Sequence, residues 1–183
     1  MKRNGFSLIE LLVAIVIAGI VLSAVMGSYF SLLQASQRAD AARQLQKELN
    51  FAVIRMADKI RSFSIHYQAY DDSSTNPGSS ETLFTRGVGS DEIHKFERTA
   101  FQWQGKDFYT LSMDGAPLFS KIFNVEAVFF KISPLLDPSA PENLGKKEAQ
   151  LQPKATIFLK AVSLQYPEIN ISIQTTISSR KYE

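Results

Sequence analysis

Lys2-Arg3-Asn4-Gly5-Phe6-Ser7-Leu8-Ile9-Glu10-Leu11-Leu12-Val13-Ala14 opens a run with no charged side chain between Glu10 and Arg38. An uncharged stretch of that length exceeds the roughly 20 residues a helix needs to cross a bilayer. The segment therefore reads as a membrane span with one acid at its outset. Lys2 and Arg3 stand before it. A lysine and arginine excess beside a span stays on the cytoplasmic side, which predicts export of the bulk of the chain.

Glu10 is the unusual residue. A carboxylate at the centre of a span costs about 2.5 to 3.5 kcal/mol on insertion scales, so such a group is expected to have a partner. Lys2 and Arg3 lie on the far side of Gly5 and do not supply one. An ordinary secretory signal has its small-residue cleavage site behind the apolar segment. Here the small residue, Gly5, lies in front of it. A cut after Gly5 would remove both basic residues, keep the whole apolar helix and create an ammonium on Phe6. That ammonium could neutralise the Glu10 of a neighbouring copy.

This layout resembles the class III signal of the type IV pilin superfamily: a short basic leader ending in Gly, then Phe, a hydrophobic run, and Glu at the fifth mature position. Lys2 and Arg3 match the leader charges, Gly5 and Phe6 the cleavage site, and Glu10 the acid. The joint match is far more specific than any of its parts. The resemblance implies cleavage by a prepilin peptidase in the inner membrane, N-methylation of Phe6, and assembly into a filament whose core is made of packed spans. It divides the chain into a leader (1–5), the transmembrane half of a long helix (6–34) and a periplasmic domain (35–183).

Of the 183 residues, about 145 fall outside the membrane, enough for one domain with its own core and too few for two. Twenty basic side chains, less the two in the leader, leave eighteen against eighteen acidic ones. That balance argues against a protein built to grip nucleic acid by its phosphates. There is no cysteine, which excludes disulfides, thiol catalysis, cysteine metal sites and lipidation through cysteine. Many major type IV pilins close a C-terminal loop with a disulfide, so its absence shifts the resemblance toward minor pilins and pseudopilins.

The helix is expected to outrun the membrane. Residues 35–64 contain no Pro or Gly, and Leu45, Leu49, Ala52, Met56, Ile60 and Phe63 recur at steps of three or four, marking one helical face. Lys47, Glu48, Arg55, Asp58, Lys59 and Arg61 occupy the opposite surface. A helix from Phe6 to about Ser64 would be roughly 85 to 90 Å long. Within the span, Ala14, Ala18, Gly19, Ser23 and Gly27 are small, which suits close approach of neighbouring helices; local unwinding at the glycines is the alternative.

Residues 70–91 read as loop chemistry. Asp72, Ser74 and Asn76 alternate as calcium ligands often do, but the later Glu is out of register and the glycine is late, which favours a solvated loop. From His94 the period changes to two. Thr99, Phe101 and Trp103 alternate with Ala100 and Gln102, residues 105–107 turn, residues 108–113 form a strand, and Asp114-Gly115 turns again. Residues 125–132 are apolar enough to be central in a sheet, and a proline-rich connection follows. Residues 154–164 alternate, as do Ile169, Ile171, Ile173, Thr175 and Ile177 against Asn170, Ser172, Gln174 and Thr176. The predicted fold is α+β: a long N-terminal helix packed on an antiparallel β-meander, as in pilins. Residues 49–61 and 174–180 are most similar to J-type minor pseudopilins of type II secretion, or to the related W-type minor pilins.

No metalloprotease, phosphate-loop, dinucleotide or nucleophile-elbow motif occurs. His66 and His94 read as surface residues without a second metal ligand at a suitable spacing, and Gly87-Val88-Gly89-Ser90 as a plain turn. Asp71-Asp72 and Asp91-Glu92 read as solvated charges, since nothing gathers them into a pocket that would split their pKa values. Phe101, Trp103 and Tyr109 read as sheet-face packing, with Trp103 the candidate anchor for a partner. The expectation is a non-enzymatic filament subunit with no cofactor and no bound metal. Its partners would be prepilin peptidase, the inner membrane and other pseudopilins or pilins in a filament tip, with no nucleic acid. A pseudopilin, a minor pilin of a type IV pilus or competence filament, and a membrane-anchored periplasmic binding domain or enzyme remain as alternatives.

Overall fold

A computed structural model describes residues 7–70, 80–87, 91–103, 105–143, 145–147 and 151–179. Helix α1 spans Leu8–Ser62. Lys59 and Arg61 in its last turn complement the negative end of the helix dipole, and Phe63 N donates to Lys59 O at 2.8 Å. By internal contacts the chain divides into two compact units, residues 1–40 and 41–183. In the first, every described side chain is exposed. In the second, Leu45, Leu49, Ala52, Met56 and Ile60 are wholly buried. Their spacing puts them on one stripe, as the periodicity requires.

Among the described residues, eight strands follow in two antiparallel sheets. The first sheet runs β1 (Ser64–Ile65), β2 (Thr82–Arg86), β3 (Ile93–Trp103), β4 (Lys106–Met113) and β5 (Ala116–Pro117), each paired with the next. The second runs β6 (Phe123–Ser133), β7 (Lys154–Ser163) and β8 (Asn170–Ser178). Each is a meander in itself, so the expected single meander is divided in two. Ser80 and Phe130 exchange backbone bonds of 2.9 and 2.7 Å between the two halves. The Asp114-Gly115 turn has φ of 53° and 81°, the left-handed pair that a tight hairpin between β4 and β5 needs and that Asp-Gly supplies at low cost.

One core joins the α1 stripe to both sheets: Leu83 from β2, Phe96 from β3, Leu111 from β4, Val128 and Phe130 from β6, and Ile157 and Leu159 from β7. Burying a side chain of this size stabilises by about 1.5–3 kcal/mol. Strand β7 alternates without a break between half-buried and buried positions from Ala155 to Ser163, which marks it as the middle of its sheet. On β8, Ile177 is buried, while Ile171 and Ile173 are half-buried against the same core.

Several sequence expectations need correction. Strand β2 lies in the region read as loop, and its Leu83 is fully buried. Glu48 and Lys59 are not simply solvated. Glu48 accepts bonds from Ser120 N (2.8 Å) and Ser120 Oγ (2.7 Å), and Lys59 reaches His94 at 2.9 Å. His94, expected at the surface, is 7% exposed. Asp71, Asp72, Ser74 and Asn76, with residues 88–90, lie outside the described residues.

Candidate functional site

The head of α1 begins at Ser7, whose carbonyl accepts from Leu11 N at 3.2 Å and closes the first turn. Ser7 N donates to Glu10 Oε2 at 2.9 Å. Ser7-Leu8-Ile9-Glu10 is therefore one arm of a capping box: an acid at the third helical position returns to the cap residue and satisfies an amide the helix cannot. The pattern was legible in the sequence, and reading Glu10 solely as an acid in search of a cation passes it over. The positive end of the helix dipole favours the carboxylate at the same place. A carboxylate offers about four acceptor positions, so the capping bond leaves room for an ammonium as well. Lys2, Arg3, Gly5 and Phe6 lie outside the described residues.

Behind this cap, Leu8–Ser62 is long and apolar enough in its first part to cross a membrane, judged by length and composition. The apolar side chains of residues 8–40, Leu12, Val16, Ile20, Val25 and Leu32 among them, are all exposed. Two polar side chains of this stretch bond back to the helix, as a hydrocarbon surrounding would require: Ser23 Oγ donates to Gly19 O at 2.8 Å and Ser28 Oγ to Ala24 O at 3.0 Å. A Cβ added at Gly19 or Gly27 would meet nothing within 4 Å. No contact among the described residues therefore offsets their helix-propensity cost, which is about 1 kcal/mol each.

In the domain, the buried His94 is surrounded by half-buried and exposed ionisable groups. Lys59 Nζ lies 2.9 Å from His94 Nε2, His94 Nδ1 lies 2.7 Å from Asp114 Oδ2, and Glu92 Oε1 is 3.2 Å from Nε2. Nδ1 faces the Asp114 carboxylate as its donor, while Nε2 lies between an ammonium that only donates and the Glu92 carboxylate that only accepts. Asp114 Oδ1 also accepts from Lys95 N at 2.7 Å. Burial pushes the Asp114 pKa up, but the Lys95 amide, His94 and the Lys59 charge outweigh it and hold the carboxyl below its ordinary value. The Phe63 ring stands edge-on to His94 at 4.8 Å, with Lys59 Nζ 4.6 Å from its centre. This cluster fastens the end of α1 to β3 and the Asp114 turn. It was not foreseen, because nothing in the local sequence relates His94 to residues 35 and 20 positions away.

Two tyrosines add further ties. Tyr67 Oη donates to Pro134 O at 3.1 Å, and Tyr70 Oη donates to Thr82 O at 3.2 Å while accepting from Phe84 N at 3.0 Å. Burial pushes the Tyr67 phenol well above its ordinary value and Tyr70 up to about 12. His66 is pushed down by burial and then by Arg86.

Of the aromatics, Trp103 is 40% exposed, and Tyr109 carries the Arg98 guanidinium 3.8 Å from its ring centre. Phe101 faces Phe108 across the β3–β4 hairpin at 6.0 Å. Near them, Thr99, Phe101, Thr110, Pro117, Phe119 and Lys121 help line an apolar cleft of ≈ 220 Å³. Among the described residues Lys121 is its one ionisable lining residue. Among the described residues no group of three or more His, Asp or Glu side chains is placed to hold a metal ion.

Residues 1–26 match the family described as the prokaryotic N-terminal methylation motif. That range contains Lys2, Arg3, Gly5, Phe6 and Glu10. No curated protein and no solved structure matches the chain.

Proposed function

We propose that this chain, type IV pilin-like in its methylation motif and its helix-first α+β layout, is a minor pseudopilin in the tip complex of a type II secretion pseudopilus. The observation that carries the reading is the N-terminal segment itself. A methylation motif at residues 1–26 runs into a helix whose first half exposes only a membrane-compatible surface and whose second half belongs to a domain. Prepilin peptidase cuts after Gly5 and the new Phe6 terminus is methylated. The mature chain is held in the inner membrane by a single span with its domain in the periplasm.

On assembly the Phe6 ammonium of one subunit meets the Glu10 of another. That pairing offsets the cost of keeping an acid in the apolar zone and sets the register of neighbouring spans. The subunit is structural rather than enzymatic, consistent with a domain whose ionisable groups around His94 are engaged in joining helix to sheet. The absence of cysteine and the similarity of residues 49–61 and 174–180 to J-type subunits support a place in a secretion pseudopilus rather than in a major pilus.

The test is replacement of the chromosomal copy in the native host. Gly5→Ala is expected to accumulate as an uncut precursor by intact mass and to abolish export of the secreted proteins. Mature protein at normal levels would refute the cleavage assignment. Normal export with loss of surface pili or of DNA uptake would move the chain to a type IV pilus or competence filament.

A further inference from the structure

Strand β3 begins with exposed Ile93, buried His94, half-buried Lys95 and buried Phe96. The alternation of a strand turns successive side chains to opposite faces, and here it turns a titratable ring inward, to where α1 ends. The charged groups around that ring come from several elements. Helix α1 brings Lys59, the approach to β3 brings Glu92, and the turn between β4 and β5 brings Asp114. Strand β3 itself brings Lys95, whose amide bonds Asp114 while its ammonium pairs with Glu97 at 2.6 Å. Across on β2, the residue in register with His94 is the uncharged Thr85, and the next along, Arg86, pairs with Asp91 at 2.6 Å.

The two ring nitrogens are placed differently. Nδ1 lies 2.7 Å from Asp114 Oδ2 and donates to it whether the ring is neutral or charged. Nε2 has two neighbours that make opposite demands. Lys59 Nζ at 2.9 Å needs a lone pair there, and Glu92 Oε1 at 3.2 Å needs a proton. One nitrogen cannot meet both, so in either state one of the two bonds is unmade. A charged ring would also set two cations 2.9 Å apart, and their repulsion drives the flexible lysine away. Lys59 contributes one positive charge and Glu92 and Asp114 one negative charge each, so charging the ring brings these groups to neutrality.

We propose that a proton on His94 Nε2 decides which element holds the ring: without it the ring is bonded to Lys59 of α1, and with it to Glu92 at the start of β3. The tie to the helix is complete above the pH at which the ring charges and is lost as the pH falls through it. Histidine is the side chain whose ordinary charge change falls between about pH 5 and 8. Phe63 senses the exchange, because its N–H donates to Lys59 O at 2.8 Å and its ring lies 4.6 Å from Lys59 Nζ and 4.8 Å from the His94 ring. Acid therefore loosens the last turn of α1 from the sheet and leaves His94 fastened within the sheet at both nitrogens. The exchange is a property of the domain and holds whether or not the chain enters a filament.

The experiment follows the isotope-labelled full chain in detergent micelles by NMR from about pH 8 to about pH 5. The ring-nitrogen shifts of His94 report its tautomer and charge, and exchange of the Phe63 amide, corrected for the intrinsic effect of pH, reports the helix end. At the alkaline end the proton is expected on Nδ1 only. At the acid end both nitrogens are expected to carry one, with Phe63 exchanging about tenfold faster. Glu92→Gln removes the carboxylate that receives the new N–H and is expected to move the transition to lower pH. Lys59→Met keeps an apolar stem against Phe63 but removes the ammonium; it is expected to move ring protonation to higher pH and to make Phe63 exchange independent of it. A ring that stays neutral throughout, a proton on Nε2 at the alkaline end, Phe63 protection that ignores ring protonation in the unmodified chain, or variants that shift the transition in the same direction would each overturn the proposal. The ring and amide measurements on the unmodified chain decide it even if a variant fails to fold.

Discussion

Residues 8–40 and 41–62 are successive stretches of one unbroken helix, yet they answer to opposite rules. Leu22 in the first is 63% exposed and Leu49 in the second is 0% exposed. In the first stretch apolar residues surround the helix. In the second the buried ones keep to one stripe, and Phe51 and Ile54 share the remaining surface with Arg43, Lys47, Arg55 and Arg61. The backbone hydrogen bonding is the same in both, so the difference lies in the intended solvent. An all-round apolar helix suits hydrocarbon, and a striped one suits a protein core on one side and water on the other.

The largest expected effect sharpens that contrast. Leu49→Ala should destabilise the domain by about 2–5 kcal/mol, the cost of a core cavity, whereas Leu22→Ala should leave the domain's unfolding midpoint unchanged. Denaturant unfolding of the detergent-solubilised chain measures both, and equal effects would break the division.

Next comes alkaline pH, which should act on residues 41–183 alone. The Tyr70 phenol is raised from 10.0 to about 12 in the folded chain, so its contribution is fully present below pH 10 and is lost as pH rises from there through the folded value. Every tenfold gain in proton affinity on folding is worth about 1.4 kcal/mol of stability. Tyr70→Phe should flatten the loss between pH 10 and 12 in a series of unfolding curves.

A smaller effect is expected at the helix head, where two roles of Glu10 can be separated. Glu10→Gln keeps an acceptor for Ser7 N but loses the charge, and Glu10→Val loses both. Fraying of the first turn, of about 0.5–2 kcal/mol by the usual cost of a lost cap, should appear in Glu10→Val only, by amide exchange. If the proposed pairing with Phe6 holds, both variants should be cut normally and enter filaments poorly; efficient entry of Glu10→Gln would leave capping as the whole role of the acid. The smallest expected effect is at Thr85, whose buried hydroxyl has no hydrogen-bond partner among the described residues. Thr85→Val should be neutral or stabilising by about 1 kcal/mol in thermal unfolding.

What the sequence made legible is what repeats. The stripe from Leu45 to Ile60 and the alternation from Ile169 to Ile177 are periodic, and periodicity survives without knowledge of the partner surface. Strand β2 escaped because its five residues are too few to establish a period beside a polar loop. The Glu48–Ser120 and Lys59–His94 contacts escaped for a different reason. They join residues 72 and 35 positions apart, and side-chain chemistry alone does not say which distant group will arrive. At the helix head the capping pattern was local and readable, but the cleavage motif occupied the same residues and drew the interpretation to itself.

Those two distant contacts have a mechanical consequence. Glu48 and Lys59 stand about 16 Å apart along the helix, one tied to Ser120 in the connection between the two sheets and the other to His94 in β3. A shaft pinned to its hub at two separated points transmits torque without slipping. Any twist imposed on residues 41–62 must therefore turn the sheets with it.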